Sequence, residues 1–401
     1  MRIAPSSPLA LTAVALLALP ACGRDGAGPA TREAAAYTAI VAGRDRSCAV
    51  SATGTAYCWG RRGAGAPDDS AAPPSLVPTA VAGVPAARAV TLGEQHSCVL
   101  GVDGRAFCWG ENDHAELGDG STTRRAAPTP VGGDRAFAAL AAGAHHTCGL
   151  EPDGRASCWG WDLYGQLGVG ATVDLGIPER LPGRRFAALA AGGDHTCAVT
   201  ADGAAYCWGR NDRGQLGSDS AAARCGPAGV ACSLVPVRVR AAVAFAAITA
   251  GGDHTCALST QGAAYCWGAG DLGQLGAGTL ADAREPVAVA APVAFTAISA
   301  GADHTCAVTA DHQAYCWGDA TYGRLGNGAG GAVVATPARV AGGLALAAVS
   351  AGTLHTCALA ADGAAYCWGF AGFGQLGSGS TLASTVPVRV APPGPASGAS
   401  R

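Results

Sequence analysis

A block with the fullest form His-Thr-Cys-Ala-Val-Thr-Ala-Asp-Gly-Ala-Ala-Tyr-Cys-Trp-Gly, residues 195–209, recurs seven times along this chain of 401 residues. Its first cysteines are Cys48, Cys98, Cys148, Cys197, Cys256, Cys306 and Cys357, spaced by 50, 50, 49, 59, 50 and 51 residues. A period near fifty belongs to propellers and solenoids, because one such unit cannot bury its apolar face alone and must stack on its neighbours. Each period offers four short strand candidates, exemplified by residues 236–240, 245–250, 254–259 and 263–267. Four strands per period make a propeller blade. The alanine content would also suit helices, but the apolar runs are only four to six residues long. Glycine punctuates every period, and β-branched or aromatic residues flank the turns.

The expected fold is therefore all-β: a seven-bladed β-propeller of four-stranded antiparallel blades spanning residues 37–391. The chain begins its repeats at what reads as the second strand of a period, Tyr37-Thr38-Ala39-Ile40. It ends them at what reads as the first, Val386-Pro387-Val388-Arg389-Val390. The ring is thus expected to close by the C-terminal strand joining blade one, which would remove open strand edges.

Cysteine usage is equally regular. In every repeat the pair lies ten residues apart: Cys48 with Cys58, Cys98 with Cys108, Cys148 with Cys158, Cys197 with Cys207, Cys256 with Cys266, Cys306 with Cys316, and Cys357 with Cys367. A three-residue hairpin loop at Ala201-Asp202-Gly203, with Gly203 left-handed, sets Cys197 opposite Cys207 at a non-hydrogen-bonded site. Cys225 and Cys232 form a further pair in the single long insertion, so eight disulfides are expected. Two thiolates per hairpin are too few for a metal centre, and nothing cationic except histidine recurs beside them to activate a redox thiol.

At the N-terminus, Arg2 precedes an apolar run over residues 9–21, which reads as a signal peptide (1–21) too short to span a bilayer. The sequence Leu19-Pro20-Ala21-Cys22-Gly23 resembles the lipobox of bacterial lipoproteins, which implies lipidation of Cys22. Residues 22–36 read as a flexible tether and 392–401 as a disordered tail. The expectation is an exported protein, lipid-anchored to the bacterial cell envelope and otherwise off the membrane.

The Gly-Gln-Leu-Gly turn, with Trp-Gly upstream and Gly-x-x-His-Thr/Ser-Cys downstream, resembles the regulator of chromosome condensation repeat family. It stands at residues 165–168, 214–217, 273–276 and 374–377, with variants Glu116-Leu117-Gly118 and Gly323-Arg324-Leu325-Gly326. Repeat one departs from it over residues 61–70. Kelch repeats share the period but not this turn. The resemblance implies a seven-bladed propeller that serves in binding. The family founder's nucleotide exchange and chromatin binding do not suit an exported protein, and a secreted bacterial relative that covers β-lactamases with one loop face suits the compartment better.

Composition excludes several chemistries. The net charge is −3 and all 26 basic residues are arginine, so there is no lysine for a phosphate loop or Schiff base, and no dense basic stripe for nucleic acid. The recurring His96, His146, His195, His254, His304 and His355, with Arg46 in the first repeat, read as residues that satisfy their own blades. Glu94, Asp194, Asp253 and Asp303 read as turn formers, and each tryptophan from Trp59 to Trp368 in a Trp-Gly pair as interblade core. No catalytic constellation stands out, and no metal or cofactor is expected.

Residues that the repeat does not require carry more information. The loops after Trp-Gly should share one face with the Gly-x-x-His turns, opposite the Asp-Gly hairpin tips. That face holds the candidates Arg61, Arg62, His114, Trp161, Tyr164, Arg213, Tyr322, Phe370 and Phe373, along with Glu111, Arg210, Asp271, Leu272 and the Cys225 to Cys232 loop. Exposed aromatics and arginines suit protein interfaces. The functional expectation is a non-enzymatic, monomeric binding scaffold that engages a protein through this face. A carbohydrate-binding propeller and a hydrolase or lyase sited in one atypical blade are the alternatives.

Overall fold

A computed structural model describes residues 36–61, 73–220 and 223–394. Seven antiparallel sheets follow one another along the chain, at residues 37–80, 87–130, 139–180, 188–238, 245–288, 295–339 and 346–389. The expected seven-bladed, all-β propeller is what the chain forms. The signal peptide, Cys22, most of the tether and Arg62 lie outside the described residues. No helix among the described residues is long and apolar enough to cross a membrane.

In blade five, Phe245–Ala250, His254–Ser259, Ala264–Gly268 and Ala283–Ala288 pair in chain order. The first strand of each blade runs to the central channel. The second and third form the tight hairpin, closed in blade four by Gly203 at φ 84° with its N–H on Thr200 O at 2.9 Å. Cys197 faces Cys207 across that hairpin. All seven repeat pairs are bonded in the same way, with Cα atoms 4.0–4.1 Å apart and both cysteines buried in most blades. Cys225 and Cys232 make the eighth bond. Blade four exceeds four strands because the insertion adds Ala223–Cys225 at its outer edge, paired with Val230–Arg238.

Ring closure differs from the sequence expectation. The Pro-Val segment is the last strand of its own blade, not the first of the next: Cys367 pairs with Val388 and Gly369 with Ser384, while blade one takes its fourth strand from Ser75–Ala80. The loop after Trp-Gly reverses the chain onto the strand it has just left, so every blade is contiguous and no strand is exchanged. Blades seven and one instead meet as any other neighbours do. Tyr37, Ile40 and Trp59 pack with Leu359, Leu376 and Val390, and Trp59 Nε1 donates to Gln375 O at 2.9 Å. The part of the expected tail that is described stays on the ring, with Gly394 N donating to Pro78 O at 2.9 Å.

The recurring polar residues hold the blades together. Thr196 Oγ1 donates to Gln166 O of the preceding blade at 2.8 Å, and Trp208 Nε1 donates to the same oxygen at 2.9 Å. The single threonine proton is thereby committed, so His146 Nε2 must donate to Thr196 Oγ1, 2.8 Å away. The same latch joins His96 to Thr147, His195 to Thr255, His254 to Thr305, His304 to Thr356 and His355 to Ser47 at 2.7–2.9 Å. Each histidine is thus the neutral Nε2–H tautomer, and five of the six have a buried, unpartnered Nδ1. In blade one, Arg46 Nη2 donates to His96 O instead. Thr305→Val keeps the shape but strands the His254 donor in the interior. It is expected to lower unfolding free energy by about 1–3 kcal/mol in denaturant titration, whereas Thr385, exposed on the outermost strand of blade seven, should tolerate valine with little loss.

Candidate functional site

The first-strand ends and the Gly-x-x turns that follow them surround a cavity of about 520 Å³ at the channel mouth. Neighbouring turns touch through their backbones: Gly193 N donates to Gly251 O at 3.0 Å and Thr353 N to Gly43 O at 3.0 Å. A β-carbon on Gly251 would sit 2.3 Å from Gly301 O, so glycine there lets the turns close into a ring. Arg44 pairs with Glu94 of the neighbouring blade at this mouth.

Around the mouth, the loops after Trp-Gly gather the sequence candidates into two aromatic groups. In blades two to four, Trp161 lies 5.4 Å from the His114 ring, 5.6 Å from His145 and 5.7 Å from Tyr164. The Arg210 guanidinium sits 5.5 Å from the Tyr164 ring centre. The insertion hairpin borders this group, since a β-carbon on Gly226 would be 2.9 Å from the Tyr164 ring. On the far side of the ring, Tyr322 is 5.0 Å from Phe370, Phe370 is 6.1 Å from Phe373, and Arg61 stands 5.2 Å from the Phe373 ring centre. Tyr322 is 53% exposed and Phe373 36%, while Trp161 and Phe370 are half-buried. Arg213 belongs to neither group. It is held between Asp271 at 2.9 Å and Asp282 at 2.7 Å, so its charge is already spent within the loops.

Sequence reasoning missed several residues on this face. Val173, Leu280, Val333 and Leu382 project from the corresponding loops, and Leu382 is 78% exposed. Each follows a Gly-x-Gly turn in a stretch otherwise made of small and polar residues. An aliphatic side chain standing there without a core to fill was the available signal. His145 was missed because the repeat has aspartate or another residue at its position. It stands 3.6 Å from Glu116 and 3.4 Å from Glu94. The Glu116 contact draws the His145 pKa above the ordinary histidine value. Burial alone would raise the Glu116 carboxyl, but the bond from His145 and nearby backbone N–H groups bring it below the ordinary range.

Next to the glycine turns of the mouth, blades four to six carry Asp194, Asp253 and Asp303. Burial, opposed by Arg210, raises the pKa of Asp194, and the Asp253 charge adds to the rise. Asp253 is raised by burial and by Asp212, again against Arg210, and Asp303 by burial and Asp319, against Arg324. These groups repel one another without converging. Among the described residues no three His, Cys, Asp or Glu side chains come together to hold a metal ion. The latch histidines are no centre either, since each is spent on its neighbouring blade and burial drives the pKa values of five of them down to about 3 or 4. Mixed aromatic, aliphatic and paired charged groups on rigidly based loops are suited to holding a macromolecular surface.

Comparisons with known proteins place this architecture. Over 147 residues, 36% of the chain, it is 32% identical to the ultraviolet-B receptor UVR8 of Arabidopsis thaliana, a match that spans 33% of that receptor's length. The fold is similar to yeast Prp20, solved bound to Kap60, with a TM-score of 0.72 and 20% identity over 95% of this chain and 91% of that one. It is also similar to human WBSCR16, with a TM-score of 0.70 and 22% identity over 81% and 87% of the two chains. Regulator of chromosome condensation repeats match at residues 37–65, 87–116 and 137–166, and again at 103–150. The RCC1-like domain matches residues 176–399, more than half of the chain, and the chain belongs to that family.

Proposed function

We propose that the protein is a non-enzymatic binding scaffold of the cell envelope that engages a protein partner through its variable loop face. The observation that carries this reading is the division of labour between repeated and unrepeated residues. Repeated His, Thr, Trp and Cys side chains are consumed by latches, core and disulfides. The unrepeated aromatic, aliphatic and arginine side chains collect on one face as two groups on opposite sides of the channel mouth. Such residues are the common anchors of protein interfaces. Relatives support a protein rather than a small molecule as the ligand: yeast Prp20 is bound to Kap60 in one structure and has binding properties toward Gsp1p and histones. The apolar run at residues 9–21, the lipobox-like Cys22 and eight disulfides together support export, anchoring through Cys22 and an oxidising compartment. The scaffold acts as a monomer.

Trp161→Ala with Phe373→Ala removes one anchor from each group. Truncating such an anchor costs about 2 kcal/mol or more, so the double variant is expected to lose capture from envelope extracts by about a hundredfold or more in a pull-down, with its melting temperature little changed. Undiminished capture by a folded double variant would remove this face from consideration.

A further inference from the structure

In blades two, three and four the second residue after the Trp-Gly pair has one structural duty. In blade two, Asn112 Oδ1 accepts Leu117 N at 2.9 Å while Nδ2 donates to Ser121 O at 2.9 Å and Thr123 O at 3.0 Å. In blade four, Asn211 Oδ1 accepts Leu216 N at 3.0 Å while Nδ2 donates to Ser218 O at 3.1 Å. The amide thus ties the start of the loop to its far limb, one end accepting and the other donating. Blade three has Asp162 at this position. Its Oδ1 accepts Leu167 N at 2.9 Å, as the asparagines do. Its Oδ2 stands where they carry a donor, is fully buried, and has no hydrogen-bond partner.

An ionised carboxylate has no donor to offer at that place. The charged group acting on it, Asp174, is of the same sign. Asp174 Oδ1 is taken by Asp162 N at 3.0 Å, and its Oδ2 lies 2.9 Å from His114 Nδ1. The backbone N–H groups of Leu167 and Val173 favour the charged form, but no cation faces Asp162. Burial, and then Asp174, outweigh them and push its pKa up to about 7. We propose that Asp162 is held as a neutral carboxylic acid that substitutes for asparagine, and that loss of its proton releases the loop carrying Trp161 and Tyr164. Protonated, the carboxyl is uncharged and sits in the interior as the asparagines do, with Oδ1 still accepting Leu167 N. Ionised, it leaves a buried negative charge against the loop's own backbone, and opening to water relieves it. This deepens the proposed binding role by making one of the two aromatic groups pH-regulated: assembled in mildly acidic surroundings and loosened in alkaline ones.

The test uses the free protein, so its outcome is independent of whether any partner binds. Asp162→Asn restores the asparagine of blades two and four and should fold. With the wild-type protein, the Asp162 carboxyl carbon followed by NMR is expected to titrate near neutrality. Hydrogen exchange at the Leu167 amide is expected to accelerate about tenfold or more, beyond the intrinsic rate increase, between pH 6 and pH 8.5. In Asp162→Asn that added acceleration should vanish, while the Leu216 amide of blade four serves as an unchanged reference in both proteins. Titration of Asp162 at an ordinary carboxylate pH, or equal Leu167 protection in both proteins at pH 8.5, would overturn the proposal. So would protection of the wild-type loop at pH 8.5 that appears only when calcium is added and is removed by chelator, because a bound cation would then be doing the work assigned to the proton.

Discussion

Between pH 6.5 and pH 4 the protein is expected to lose most of its stability, much more steeply than a domain whose acid response comes from surface carboxylates. The six latch histidines are fully buried, and burial lowers their pKa values, to about 3 or 4 for five of them and well below the ordinary value for His304. In the unfolded chain they titrate near 6.5. A group whose folded pKa is depressed in this way contributes its full stability above the unfolded pKa. That contribution drains as pH falls, because the unfolded state takes up protons that the folded state refuses. Each such proton adds about 1.4 kcal/mol per pH unit, so six together set a limiting slope of about 8 kcal/mol per pH unit. Raised carboxyls such as Asp194 and Asp253 work in the opposite direction, but they are fewer and partly solvated. Thermal melts across this range should show a steep, cooperative fall in Tm below pH 6. A flat Tm down to pH 4.5 would mean that the histidines are not the closed, neutral latches described above.

Reduction of the disulfides is the second large effect. A bond that closes a ten-residue loop contributes about 2–3 kcal/mol by restricting the unfolded chain. Seven of them have a nominal total of about 14–21 kcal/mol, at or above the whole net stability of a typical domain, about 5–15 kcal/mol. The hairpins are also held by their neighbours, so the contributions do not add fully, yet the reduced ring is expected to lose cooperative unfolding well below the oxidised Tm. The sulfurs are almost entirely shielded. Mild reductant should therefore leave the native protein intact until denaturant opens it. Calorimetry of oxidised and fully reduced protein checks the first point, and thiol labelling with and without denaturant checks the second. Equal melting temperatures for the two forms would show that the clasps are dispensable.

The strand pattern was legible because every period carries a cysteine pair and a Trp-Gly stop, and every period but the sixth, where His312 takes the positive φ, carries a hairpin glycine. Residues 245–250 and 254–259 were placed to the residue from the sequence. The frame of the blade was not legible. The Pro-Val strand sits between two Trp-Gly strands in the chain, and nothing in its residues says which of them it pairs with. In the fold it pairs with the Trp-Gly strand that precedes it, even in blade one, which lacks the Gly-Gln-Leu-Gly turn. Of the candidate face, Trp161, Tyr164, Tyr322, Phe370 and Phe373 could be named because they break the repeat and bear large rings. Asp162 and His145 also break it but look like ordinary loop residues. Their character comes from burial and from neighbours on the far limb of the loop or on another blade, which only the folded ring brings together.

The claim that the variable loop face is the working surface is tested most directly by site-specific photo-cross-linking in envelope preparations. A photoreactive residue at Tyr322 is compared with one at Gln261, which is exposed on a hairpin tip of the opposite face. A discrete protein adduct formed from position 322, absent from 261 and lost when Phe373 is also replaced by alanine, is the expected result. Adducts formed from 261 and not from 322 would contradict it.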